Sequence, residues 1–149
     1  MTKVFLAFSI SFMVFAASAN DELKGYREYS YWVPLGSDGV AADYYVDLNS
    51  VKITGYKKHL VTAWIMWGRL PTNLQKKLEN TSSIKEHLLI DCNNYKVWSR
   101  YTVYYEGIMG EGDIALSFSS VEEWVIAQRG SLYNGALELV CKVVEEKKK

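Results

Sequence analysis

Ile84-Lys85-Glu86-His87-Leu88-Leu89-Ile90-Asp91-Cys92 is the stretch on which the fold turns. Alternation along a strand puts Ile84, Glu86, Leu88, Ile90 and Cys92 on one face and Lys85, His87, Leu89 and Asp91 on the other. The only other cysteine, Cys141, lies within residues 131–146, the clearest helical pattern in the chain. There Ser131 is placed to cap the first turn. Asn134, Gly135, Glu138, Lys142, Glu145 and Glu146 share one side, and Leu132, Tyr133, Ala136, Leu137, Leu139, Val140, Val143 and Val144 fill the rest. So wide an apolar arc needs the face of a sheet as cover. A disulfide requires Cα atoms roughly 4.4–6.8 Å apart. If Cys92 joins Cys141, the helix must lie over the Leu88/Ile90 face. The bond closes a loop of about 50 residues, worth roughly 4 kcal/mol in the chain-entropy model.

Outward from that strand, the chain reads as short β segments. Residues 30–33 form a strand stopped by Pro34, followed by a turn at residues 36–39. Residues 44–47 form a second strand. Residues 51–54 and 59–67 make a hairpin across residues 55–58. Residues 72–83 read either as a short helix or as a flexible insertion. Beyond Cys92, Asn93-Asn94 turns the chain into a strand over residues 95–105, which Gly107, Gly110 and Gly112 end. Residues 114–118 and 123–126 are further short candidates. The expected fold class is α+β: an antiparallel sheet of about six strands with a C-terminal helix packed on one face and tethered by the disulfide.

The N-terminus explains why two thiols should pair. Lys3 precedes the apolar run of residues 4–15, and Ala17-Ser18-Ala19 is a small-x-small cleavage site. Residues 1–19 therefore read as a signal peptide cut between Ala19 and Asn20. The apolar run is too short for a membrane span. Export places the cysteines in an oxidising compartment, where a lone pair is expected to bond. Removing 19 of the 149 residues leaves 130, enough for one domain with a real core. The expected organisation is a flexible arm at residues 20–29, a domain at residues 30–146 and a basic tail at residues 147–149.

Composition narrows the partners. The whole chain has 17 basic and 17 acidic residues, and the leader carries only Lys3, so the mature charge is close to zero. Nothing there favours nucleic acid. The five phenylalanines include four in the leader, leaving Phe118 beside eleven tyrosines and five tryptophans. Tyr and Trp suit wet interfaces as well as strands. His59 and His87 have no metal-ligand spacing, and no Gly-x-Ser-x-Gly elbow exists. The glycines at 107, 110 and 112 lack the Gly-Lys-Ser/Thr ending of a phosphate loop. No enzyme, metal or cofactor is expected.

The elements together resemble the surface-adhesin protein E family. The likeness rests on residues 32–35, on Asp43-Tyr44-Tyr45-Val46-Asp47-Leu48-Asn49-Ser50-Val51 and on the Trp64/Trp67 strand. Asp91-Cys92, residues 124–126 and the helix ending Val140-Cys141 complete it. The resemblance implies a non-enzymatic bacterial binding domain that engages host matrix or serum proteins and can self-associate. A homodimer is among the partners it implies. A lipoprotein would need cysteine where this chain has Asn20, so the mature protein is expected without lipid anchor or membrane span, periplasmic or secreted. The alternative function is a periplasmic domain that binds or inhibits another envelope protein. The candidate binding face is Trp98, Arg100 and Tyr104, expected on one side of their strand opposite Tyr101 and Val103.

Overall fold

The structure is a computed structural model that describes residues 31–37, 43–54 and 57–147. The leader, the Ala19/Asn20 cleavage site, the arm at residues 20–29 and the last two lysines lie outside the described residues.

Among the described residues seven strands and two α-helices follow in the order β1 (Trp32–Ser37), β2 (Asp43–Ile53), β3 (Leu60–Trp67), α1 (Thr72–Lys77), β4 (Ser83–Asp91), β5 (Lys96–Tyr105), β6 (Ile114–Ser119), β7 (Val125–Ile126) and α2 (Leu132–Glu146). The strands form one antiparallel sheet in sequence order from β1 to β6, and β7 pairs with the first residues of β5. From β1 to β6 each neighbour in the sheet is a neighbour in the chain, as short, uncrossed connections dictate; only β7 skips a strand to reach β5.

The core forms between α2 and one face of β1–β4. Val46, Val61, Ala63, Ile65, Leu88 and Ile90 pack against Ala136, Leu137, Val140 and Val144. Cys92 and Cys141 are bonded at its margin, with Cα atoms 5.7 Å apart. Helix α2 therefore covers the Leu88/Ile90 face, as the alternation requires. Ser131 Oγ caps it by accepting from the Asn134 N–H. Asn134, placed by periodicity on the polar side, is buried instead and donates to Glu138 Oε1 at 2.8 Å. Glu86 also lies on the covered face. Its carboxylate accepts from Trp67 Nε1 at 3.1 Å and from the Tyr133 hydroxyl at 3.0 Å, tying β4 to β3 and α2. Burial and that neighbouring carboxylate push the Tyr133 phenol well above its ordinary value.

Two local expectations are corrected, and one open alternative is decided. Pro34 does not stop β1, because an edge strand can spare the missing N–H. Residues 43–53 are a single strand rather than two, bent by a register shift between Asp47 and Lys52. Ser50 fills that shift: its hydroxyl donates to the Asp47 carbonyl at 2.6 Å and accepts from the Trp64 N–H at 2.8 Å. Residues 72–77 settle as a short helix that starts after Pro71. The glycine segment folds back on the sheet. Ser83 Oγ bridges it by donating to the Gly107 carbonyl and accepting from the Gly110 N–H. Gly110 has φ +70° with the Lys85 side chain against it, so a side chain there would collide as well as strain the backbone.

Candidate functional site

The face opposite α2 carries most of the strand aromatics. Trp32, Asp47, Trp64, His87, Tyr101 and Ser119 lie in one cross-strand row running from β1 to β6. Within it Trp64 meets His87 at 5.0 Å and the Tyr101 ring edge-on at 6.3 Å. In the next row, Lys85 Nζ lies 5.6 Å from the Trp32 ring and 4.9 Å from the Tyr105 ring. Such cation–π contacts let a half-buried ammonium persist. Burial lowers the Lys85 pKa, while Glu111 and Asp47 partly offset it.

The pairing of β4 with β5 shifts between His87 and Leu88, so that Leu88 faces Ser99 while His87 faces Tyr101. Arg100 is the extra residue of this bulge. Its consequence corrects the candidate face. Before the bulge, Trp98 opposes Leu89 and points away from α2; after it, Tyr101 does so. Tyr104 opposes Ile84 on the helix side, where burial and Glu86 raise its pKa. Trp98 and Arg100 remain together, with the guanidinium carbon 5.7 Å from the indole centroid. Tyr101, expected on the opposite side, joins them. A lone sequence cannot show such an insertion, because alternation simply continues through it.

Two open clefts meet at Trp98. One, about 380 Å³, is lined by His87, Trp98, Arg100, Tyr101, Ser119 and Ser120. The other, about 360 Å³, runs past Trp124 and gathers Lys57, His59, Asp91, Lys96 and Glu122. Burial, then Arg100 and Lys52, hold His87 below the usual imidazole value. Burial alone would raise the Asp91 pKa, but hydrogen bonds from the Asn94 side chain and the Asn94 and Asn93 N–H groups outweigh it, with His59 adding to the lowering. Neither cleft brings a histidine together with both a carboxylate and a serine. Among the described residues, no group of His, Cys, Asp and Glu is arranged to hold a metal ion.

The second surface is the β6 edge. Every residue from Ile114 to Ser119 is exposed. Leu116 opposes Tyr104 and Phe118 opposes Thr102, so both point to the side of the sheet that bears α2, whereas a register shift between Tyr104 and Tyr105 sets Ile114 opposite Tyr105, on the other side. Helix α2, however, lies over β1, β2 and β3 and leaves that end uncovered. Ile114, Leu116 and Phe118 remain 59, 55 and 43 % exposed. Phe118 stacks on Tyr104 at 5.9 Å, which holds the ring in place without hiding it. No helix among the described residues is long and apolar enough to cross a membrane.

Known proteins share this architecture. Crystal form II of Haemophilus influenzae protein E superposes with a TM-score of 0.57 at 16 % identity, covering 78 % of this chain and 91 % of that one. A second structure of H. influenzae protein E gives 0.57 at 16 % identity over 78 % and 88 %. Protein E from non-typeable H. influenzae gives 0.53 at 18 % identity over 80 % and 84 %. At such identities the likeness speaks for the fold. No curated protein matches the chain. The family model for surface-adhesin protein E matches residues 32–142, from the first strand to one residue past the disulfide, and the chain belongs to that family.

Proposed function

We propose that this adhesin-like protein is exported, acts without catalysis, and binds host matrix or serum proteins by taking an extended segment of the partner along β6. The observation that carries this reading is the β6 edge itself. Soluble proteins blunt their free edges with lysine, proline, bulges or a covering element. Ile114-Ala115-Leu116-Ser117-Phe118-Ser119 contains no charge and no proline, its register shift is confined to the Ile114 end, and beyond it Leu116 and Phe118 share one open side. An added strand gains main-chain hydrogen bonds from the edge, and the alternate side chains Leu116 and Phe118 supply the apolar contacts. Family membership supports an adhesin-type partner; the choice of edge rests on the geometry alone.

The test passes the domain over a panel of purified, immobilised matrix and serum proteins, beside the Leu116→Ser and Phe118→Ser variants. Saturable retention that both variants lose supports the reading. Retention only of envelope proteins from a bacterial extract would transfer the function to the periplasm. Concentration-dependent doubling of mass in sedimentation, abolished by the same variants, would instead assign the edge to a second copy of the chain.

A further inference from the structure

We propose a second site, separate from the β6 edge: the cleft of Trp98, Arg100 and Tyr101 on the open face binds a uronate-bearing oligosaccharide. Three independent features converge there. The bulge sets Arg100 out of the regular alternation, and bulges recur where a strand must re-aim a side chain. The Trp98 indole N–H is buried with no acceptor among the described residues, a cost that native structures rarely bear. The ring itself lines both clefts. The guanidinium rests near that ring, while no carboxylate lines the cleft it occupies.

These features select an anion with an apolar body. A planar carboxylate matches the guanidinium fork, and an indole accepts the C–H face of a pyranose ring. Ser119, Ser120 and His87 stand in the same cleft to meet ring hydroxyls. Lys52 adds positive potential, since it lowers the His87 pKa together with Arg100. The neighbouring cleft extends the track with Lys57 and Lys96. Its acids are held in place, Asp91 by Asn93 and Asn94 and Glu122 by Trp124 Nε1, but keep their charge, so the track suits carboxylates spaced along a chain rather than a dense run of anions.

Two competing occupants fit less well. A polysulfated chain needs dense cations, whereas this surface mixes its lysines with Asp91 and Glu122. An acidic peptide must satisfy its own backbone, and the main-chain groups beneath the cleft are already spent on the β4–β5 ladder. A saccharide brings hydroxyls that side chains and water can satisfy.

Calorimetric titration with a hyaluronan hexasaccharide, which bears a carboxylate on alternate rings and no sulfate, tests this. Saturable binding is expected, weakened about tenfold by Arg100→Gln, on the scale of a lost hydrogen bond to a charged group. Trp98→Ala should abolish it, and Leu116→Ser on β6 should leave it unchanged. Arg100 is exposed, so its variant keeps the fold even if Trp98→Ala does not. The NMR titration of His87 should move to higher pH on binding, as a nearby anion requires. Equal affinity for a neutral chitin hexamer would overturn the proposal. So would tighter binding of a heparin fragment of equal length or of hexaglutamate, no binding at all, or indifference to Arg100→Gln.

Discussion

Strands β4 and β6 alternate apolar with polar residues in the same way, and the fold treats them oppositely. On β4, Leu88 and Ile90 have no exposed surface because they pack into the core with α2; on β6, Leu116 and Phe118, on the same side of the sheet, keep about half of theirs. The difference is not in the strands but in what reaches them. The helix lies over β1–β3, β4 joins the same core where the disulfide ties the helix down, and the sheet runs on past that cover. An apolar stripe in a sequence states that something should cover it. It does not state that the cover belongs to the same chain.

The comparison is broken most severely by removing the cover. Cys92→Ser, or reduction of the bond, should cost about 4 kcal/mol, the loop-closure value for a separation of this size. Denaturant midpoints of oxidised and reduced protein measure it, and equal midpoints would deny the staple its role. Leu88→Ala follows at about 3 kcal/mol, because it opens a cavity under α2. If Leu88→Ala cost no more than a β6 substitution, the claim that α2 seals only one end of the sheet would fail.

Glu86 sharpens the same contrast. Glu86→Ala strips the acceptor from both Trp67 Nε1 and the Tyr133 hydroxyl, which should cost about 2 kcal/mol. Tyr133→Phe should cost about 1 kcal/mol and also change the pH response. The folded-state pKa of Tyr133 is raised above its unfolded value of 10.0, so its contribution is complete below pH 10 and is lost as pH rises beyond it. Unfolding free energies of wild type should therefore fall in alkali more steeply than those of Tyr133→Phe. Parallel pH curves would contradict the assignment.

Much of this was legible in the sequence, for identifiable reasons. The period-2 pattern of residues 84–92, the capped helix after Ser131 and the pair of cysteines each constrain the others, so the helix had one face on which to land. The binding surface was harder to read because it depends on a bulge. One inserted residue at Arg100 exchanges the faces of everything after it, which moved Tyr104 to the helix side and brought Tyr101 beside Trp98. Pro34 misled for a similar reason: its effect depends on whether the strand is central or at an edge, and only the assembled sheet decides that. The β6 edge carried a signal, six residues without charge or proline, but no local rule says which strand ends a sheet.

The smallest expected change in stability tests the comparison most directly. Leu116→Ser should alter the unfolding free energy by under about 0.5 kcal/mol, because an exposed leucine gives up little on folding. Ser117→Lys should be equally mild, since its partner Val103 lies in a ladder that the substitution leaves intact. A lysine there is the device by which edge strands refuse company. If β6 is a docking edge, both variants should fold as wild type does and lose the partner. Should either variant unfold the domain, β6 would be a structural strand whose cover lies within the chain, and its likeness to β4 would be complete.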